Sequence, residues 1–232
     1  EIPIMNATHS VDTAFMEQAV TLAGRTMPSP NPRVGAVIVR DGRVVGRGFH
    51  EKAGMPHAEI IAINDAGALA GGSDLYVTLE PCVHFGRTGP CVEAIIRAGI
   101  SHVFIGVTDP DPRVNGKGVE RLRAENIAVE TGILEEKCKA LLAGYIIHRT
   151  QGRPRVTVKA AITLDGYLAS ASGDSKWISS IDSRIKAHAL RAESDAVLVG
   201  INTVVADDPQ LTVRDAPGAS PLRIVLDPTL RI

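Results

Sequence analysis

The stretch Asp74-Leu75-Tyr76-Val77-Thr78-Leu79-Glu80-Pro81-Cys82-Val83-His84-Phe85-Gly86-Arg87-Thr88-Gly89-Pro90-Cys91 decides how this chain is read. Residues 74–80 are a short apolar run between Gly71-Gly72 and Pro81, the signature of a buried strand. Pro90 suits the first turn of a helix, which the pattern predicts to about Ala98. His102–Val107 is then a second apolar strand. Strand, helix and strand in this order form the repeating unit of an α/β fold.

Working outward, residues 10–26 show helical periodicity, with Ser10 or Asp12 as cap and Phe15, Ala19, Val20, Leu22 and Ala23 as the apolar stripe. Pro28, Pro30 and Pro32 end it. Val34–Val39 reads as a strand, and Asp41-Gly42 as the turn of a hairpin into Arg43–Phe49. Pro56-His57 opens a helix predicted to Leu69, with Gly71-Gly72 as the stop. Gly118–Asn126 and Leu134–Arg149 read as helices flanking a strand at Ala128–Thr131. The alternation places an α/β domain at residues 1–150.

Gln151-Gly152-Arg153-Pro154 is a polar, breaker-rich join. Residues 151–232 form a second, strand-led segment: a strand at Arg155–Ile162, a helix near Ser180–Glu193, and strands at Asp195–Val199 and Leu222–Leu226. A terminal apolar strand needs neighbours on both sides, so this segment reads as the first part of a domain.

Composition narrows the function classes. The chain has 232 residues, 44% hydrophobic and 22% charged, which fits a globular protein rather than a disordered one. With Lys plus Arg at 25 against Asp plus Glu at 26, no global basic field exists to hold a polyanion. The 4 Phe, 3 Tyr and 1 Trp offer few platforms for stacking single-stranded bases. No nucleic-acid partner is therefore expected. No apolar run reaches the roughly 18–20 residues of a membrane helix. The first residues lack the charged and apolar regions of a secretory signal. Three cysteines, an odd number, argue against a disulfide framework and for a cytoplasmic setting.

The chemistry concentrates in three places: His57-Ala58-Glu59 at a helix start, Glu80-Pro81-Cys82 at a strand end, and Gly89-Pro90-Cys91 at the next helix start. One imidazole and two thiolates are borderline-soft donors that suit tetrahedral zinc and leave a fourth position open. Iron or cobalt can take the same donors. Helix N-termini favour thiolate at Cys91. Positions two apart on a helix face different sides, so His57 must stand at the helix start if Glu59 is to face the same ion. Glu59 is then the general base for water, and the acid that returns the proton to a ring nitrogen and a leaving amine.

Zinc nucleobase deaminases carry H-x-E…P-C-x-x-C, and this sequence resembles that pattern with a longer cysteine spacing, nine positions from Cys82 to Cys91. The inserted loop carries His84, Arg87 and Thr88, donors suited to a phosphate. Alternatives at this level are a tRNA or nucleoside deaminase, and a non-catalytic zinc-stabilised binding module. The last would need a fourth protein ligand, for which His50 and Cys138 are the candidates.

Three stretches carry a closer resemblance: Ser29-Pro30-Asn31-Pro32-Arg33-Val34-Gly35, His57-Ala58-Glu59, and the whole run from Glu80 to Cys91. They are similar to the bifunctional deaminase/reductase family of riboflavin biosynthesis. Lys159–Gly166, Ser175-Lys176-Trp177-Ile178 and Asp207–Arg214 resemble its reductase half. The resemblance implies a cytidine-deaminase-like α/β/α layered domain with a mixed sheet, then the first part of a dihydrofolate-reductase-like α/β domain. It implies zinc on His57, Cys82 and Cys91, with Glu59 as proton shuttle. The implied substrate contacts in the deaminase half are Asn31, His50, His84 and Arg87.

In the reductase half the implied substrate contacts are Lys159, Ser175, Arg191, Leu211 and Arg214. The implied NADPH contacts are Ala161, Trp177, Thr203 and Asp207. A guanidinium fork matches phosphate oxygens, which favours Arg191 and Arg214, although isolated arginines are also ordinary surface charges. No G-x-G-x-x-G follows a strand, so a Rossmann cofactor site is not supported. The implied substrate is a small phosphorylated pyrimidine, and a homo-oligomer is implied by the family's habit.

Overall fold

The computed structural model describes residues 12–85 and 89–232. The chain divides into two compact units, Glu1–Arg155 and Val156–Ile232. In the first, the elements run α1 (Thr13–Ala23), β1 (Gly35–Arg40), β2 (Arg43–Phe49), α2 (Ala58–Ala66), β3 (Asp74–Leu79), α3 (Cys91–Ala98), β4 (His102–Val107), α4 (Lys117–Ala124), β5 (Ala128–Thr131) and α5 (Glu135–Gln151).

The five strands form one mixed sheet in the order β2-β1-β3-β4-β5. β1 pairs antiparallel with β2 and with β3, while β3–β4 and β4–β5 are parallel. The hairpin turn forms as its residues dictate. Asp41 and Gly42 both have positive φ, the backbone that a two-residue turn between twisted strands requires.

Register shows which helix covers which face. Gly48 pairs with Ala36, so both point to one face, and the neighbouring Gly35 points to the other. Gly48 lies under α2, whereas Gly35 lies under Ala19 and Ala23 of α1. α5 shares the α1 face, with Cys138 against Gly106 of β4. α3 contacts both α2 and α4 on the opposite face. The unit is thus an α/β/α sandwich, with Met16, Ile38, Leu75, Val77, Ile95, Phe104 and Leu122 in its buried core.

The α2 contact is unusually close, and it sets the height of the residues that follow from it. Ala58, Ala62 and Ala66 are buried at four-residue spacing, facing Gly46 and Gly48 of β2. A Cβ on Gly48 would stand 2.1 Å from the Ala58 carbonyl oxygen and 2.6 Å from the Ala62 nitrogen. Neither backbone atom can move without lifting the helix. Gly48→Ala is therefore expected to destabilise the unit by about 1–3 kcal/mol or more, the usual range for overpacking. Thermal denaturation beside the wild-type chain checks this; an unchanged melting temperature would show that α2 can yield.

Some boundaries differ from the sequence reading. α1 starts at Thr13 with Asp12 as its cap, whose carboxylate accepts the Ala14 N–H at 2.9 Å; Ser10 lies outside the described residues. α2 ends at Ala66 because Gly67 turns the chain with positive φ, and Gly67–Ala70 is a 3-10 turn. Pro90 stands just before α3 as its cap position.

In the second unit the elements are α6 (Ile181–Ala192), β6 (Ala196–Gly200), α7 (Ile201–Asp207) and β7 (Leu222–Leu226). β6 and β7 pair in parallel. The strand expected at Arg155–Ile162 is absent. Its alternating pattern is present, but no described strand pairs with it, and Val156 and Val158 are exposed. A strand is defined by its partner, so pattern alone does not make one. α7 was not expected, because it is short and its residues carry no clear helical stripe.

Candidate metal centre

Three elements converge at one end of the first unit. His57 caps α2 with an extended backbone, which puts its ring ahead of the helix while Glu59 sits within the first turn. Cys82 follows the C-terminal end of β3. Cys91 is the first residue of α3. The single donor atoms of His57, Cys82 and Cys91 all lie within 4.8 Å of one another. His57 Nδ1 stands 3.1 Å from Cys91 Sγ and 3.6 Å from Cys82 Sγ. Tetrahedral zinc with bonds of about 2.0–2.3 Å holds its donors roughly 3.5–3.8 Å apart; the Cys82 pair matches this, and the Cys91 pair needs to open by only a few tenths of an ångström to share the ion.

Electrostatics around the donors are already set for a cation. The Cys91 N–H, at a helix start, donates to Cys82 Sγ at 3.4 Å. Hydrogen bonding from Cys91 holds the Cys82 thiol well below its ordinary value, which favours the thiolate there. The same contact, with burial, pushes Cys91 well up. The Cys82 sulfur also raises the His57 imidazole, against the effect of burial. Glu59 is only 3% exposed, and its carboxyl engages Cys91. Burial pushes its pKa up, and the adjacent His57 partly opposes that.

Neither candidate for a fourth protein ligand serves. Cys138 lies on the other face of the sheet, under Gly106. Both nitrogens of His50 are engaged: Nδ1 at 3.1 Å from the Pro56 carbonyl and Nε2 at 2.9 Å from Asn31 Nδ2. A carbonyl only accepts, so Nδ1 carries the hydrogen and Nε2 accepts from the amide. Burial lowers the His50 pKa, which agrees with a neutral ring. The Asn31 amide is thereby oriented, with its nitrogen towards His50. The His50 and His57 rings meet edge to face, with centroids 5.2 Å apart, so the Asn31–His50 pair adjoins the donors. Among the described residues, these three donors converge and no fourth His, Cys, Asp or Glu joins the group.

The other expected residues vary. His84 is half-buried, and its buried Nδ1 has no hydrogen-bond partner among the described residues. Arg87 lies outside the described residues. In the second unit, Arg191 Nη1 donates to the Thr212 carbonyl at 3.2 Å, and Arg214 Nη1 donates to Thr212 Oγ1 at 3.0 Å. The two guanidiniums are thus close; burial and then Arg214 lower the Arg191 pKa. Leu211 is buried with positive φ between them in sequence. Trp177 is 73% exposed and lies under the Arg184 guanidinium, 3.9 Å from ring centroid to Cζ. Ser175 accepts the Ile178 N–H through its carbonyl. Lys159 and Ala161 sit in residues 155–162, outside any helix or strand, and Thr203 and Asp207 are exposed on one side of α7.

Sequence reasoning missed Glu80 as more than a strand end. It is buried, and its two carboxylate oxygens accept four backbone N–H groups. A charged residue between Leu79 and Pro81, at the end of a mostly apolar run, was the only local signal.

Sheet order, helix layers and donor set together define a zinc-binding domain of the cytidine deaminase type. The cytidine and deoxycytidylate deaminase zinc-binding region matches residues 9–107, and the RibD C-terminal domain matches residues 154–232. Over most of its length the chain is similar to the RibD riboflavin biosynthesis proteins. It is 52% identical to the riboflavin biosynthesis protein RibD of Aquifex aeolicus over 96% of this chain and 63% of the relative. To the RibD of Escherichia coli it is 46% identical, over 88% of this chain and 56% of the relative.

Among solved structures, it is similar to RibD of Acinetobacter baumannii, with TM-score 0.89, 46% identity, and coverage of 95% and 64% of the two chains. It is similar also to a diaminohydroxyphosphoribosylaminopyrimidine deaminase/5-amino-6-(5-phosphoribosylamino)uracil reductase from Thermotoga maritima. There the TM-score is 0.89 and the identity 47%, over 94% and 63% of the chains. The chain thus spans about 63% of the length of the Aquifex relative. The second unit corresponds to part of the dihydrofolate-reductase-like domain of this family. Among the described residues, no helix is long and apolar enough to cross a membrane.

Proposed function

We propose that residues 1–150 catalyse the hydrolytic deamination of 2,5-diamino-6-ribosylamino-4(3H)-pyrimidinone 5′-phosphate in riboflavin biosynthesis. The observation that carries this reading is a buried carboxyl beside three convergent soft donors, one short of a tetrahedral set. A purely structural zinc site has four protein ligands and no use for a spare base.

His57, Cys82 and Cys91 would hold the zinc ion, which would supply the Lewis acidity that activates water near neutral pH. Glu59 takes one proton from the attacking water. It gives that proton to the ring nitrogen, then takes the second proton from the newly attached hydroxyl and gives it to the departing amino group, so ammonia leaves and a carbonyl remains beside a ring N–H. Its raised pKa suits a group that must hold the proton between those steps. Asn31 and His50 orient the pyrimidine. His84 and Arg87 meet the phosphate.

Residues 151–232 contribute the first part of the NADPH-dependent reductase that converts the ribosyl to a ribityl chain. Lys159, Ser175, Arg191, Leu211 and Arg214 face the substrate there, and Ala161, Trp177, Thr203 and Asp207 the nicotinamide cofactor. The close pair Arg191 and Arg214 supports an anionic ligand at that place. A reducing, cytoplasmic setting fits free cysteines at the metal centre. A homo-oligomer belongs to the same reading.

Ammonia release tests the deaminase reading, with the phosphorylated pyrimidine compared with cytidine and tRNA. Turnover is expected on the first alone, and is expected to vanish after treatment with a chelator. Preferential release from tRNA or cytidine would overturn the substrate assignment.

A further inference from the structure

Glu80 is tied to a part of the fold remote in sequence. Its Oε2 accepts the Asp109 N–H at 3.1 Å and the Gly116 N–H at 2.9 Å. Its Oε1 accepts the Gly118 N–H at 2.9 Å and the Val119 N–H at 3.3 Å. These donors belong to the loop after β4 and to the first turn of α4. The carboxylate therefore caps α4 from the residue that follows β3, where the helix N-terminus favours negative charge.

The same anchorage bears on the metal centre. Only Pro81 separates Glu80 from Cys82, and proline fixes one of the few soft torsions between them. The Glu80 backbone is also held, its N–H donating to the Val107 carbonyl at 2.9 Å. On the far side, the Cys82 carbonyl accepts the Val92 N–H at 3.3 Å. α4 also approaches the turn directly. A Cβ on Gly118 would stand 2.4 Å from the Pro81 carbonyl oxygen and 3.0 Å from Glu80 Oε1. The loop after β4 and the first turn of α4 thus form a bed on which the Glu80-Pro81-Cys82 turn rests.

We propose that Glu80 is a positioning residue for the metal centre: its carboxylate, gripped by the loop after β4 and the start of α4, fixes Cys82 at the place where it shares an ion with His57 and Cys91. This rests on the reading of those three residues as ligands. A group that orients a ligand from behind changes metal affinity by about 10–100-fold when it is removed. Capping α4 alone would affect stability and leave affinity untouched.

The test is zinc affinity, read by competition with a chromophoric chelator on the whole chain, with circular dichroism and melting temperature measured alongside. Cobalt absorption gives a second readout of thiolate geometry. Glu80→Gln puts an NH2 group against backbone donors, and Gly118→Ala pushes the turn off its bed. Both are expected to weaken zinc binding by about 10–100-fold and to alter the cobalt spectrum. A folded Glu80→Gln with a lower melting temperature but wild-type zinc affinity would overturn the proposal, leaving Glu80 as a cap only. If Glu80→Gln does not fold, Gly118→Ala decides by the same criterion. If neither folds, Glu80→Asp decides, since it keeps the acceptors and withdraws them by one methylene; undiminished affinity there also overturns it. A wild-type chain that takes up no zinc would instead defeat the ligand assignment itself.

Discussion

Glu59→Gln is expected to keep its zinc and lose its deaminase turnover. The side chain sits in the first turn of α2, 3% exposed, and engages Cys91 without belonging to the donor set. Glutamine has nearly the same shape, so α2 and its packing on Gly46 and Gly48 are preserved. It cannot accept the proton of an attacking water, nor hand one to a ring nitrogen. Loss of a positioned acid–base group costs about 10²–10⁴ in rate, or roughly 3–5 kcal/mol of barrier. The rate of ammonia release and the zinc content of the same preparation check this together. Retained turnover above a tenth of wild type would remove Glu59 from the proton path. Loss of zinc would make it a ligand rather than a shuttle.

Parts of this arrangement were legible in the sequence because they are governed by local chemistry. Asp41-Gly42 fixes its own turn, since both residues tolerate positive φ. His57 had to stand at a helix start for Glu59 to share its site, and it does so with extended backbone angles. Cys82 and Cys91 were placed by the prolines beside them. Other parts depend on residues far apart in the chain. The seating of α2 depends on two glycines in β2 meeting three alanines, and neither half of that contact signals the other. The four N–H groups on Glu80 come from residues 109–119, which no motif links to it. The segment Arg155–Ile162 shows the opposite error, a strand pattern without a partner. Arg87 could be named from the sequence, but lies outside the described residues.

Cys91→Ala is expected to abolish zinc binding at concentrations that saturate the wild-type chain. Cys91 is fully buried, and its sulfur stands 3.1 Å from His57 Nδ1. Alanine keeps the start of α3, and the backbone N–H that donates to Cys82 remains. What disappears is one donor and one negative charge. A dication with two thiolates and a neutral imidazole sums to zero, whereas with one thiolate a net positive charge must be buried, which is costly without a partner. The loss should exceed the roughly 10–100-fold that follows from removing a supporting hydrogen bond. The sandwich itself is expected to fold, because Ile38, Leu75, Val77 and Phe104 build its core away from this sulfur. Zinc titration beside circular dichroism separates the two effects. The contrast with Glu59→Gln is the sharper result: both variants should be inactive, one with the ion in place and the other without it. If Cys91→Ala bound zinc as tightly as wild type, the three-donor centre would be wrong, and with it the role given to Glu59.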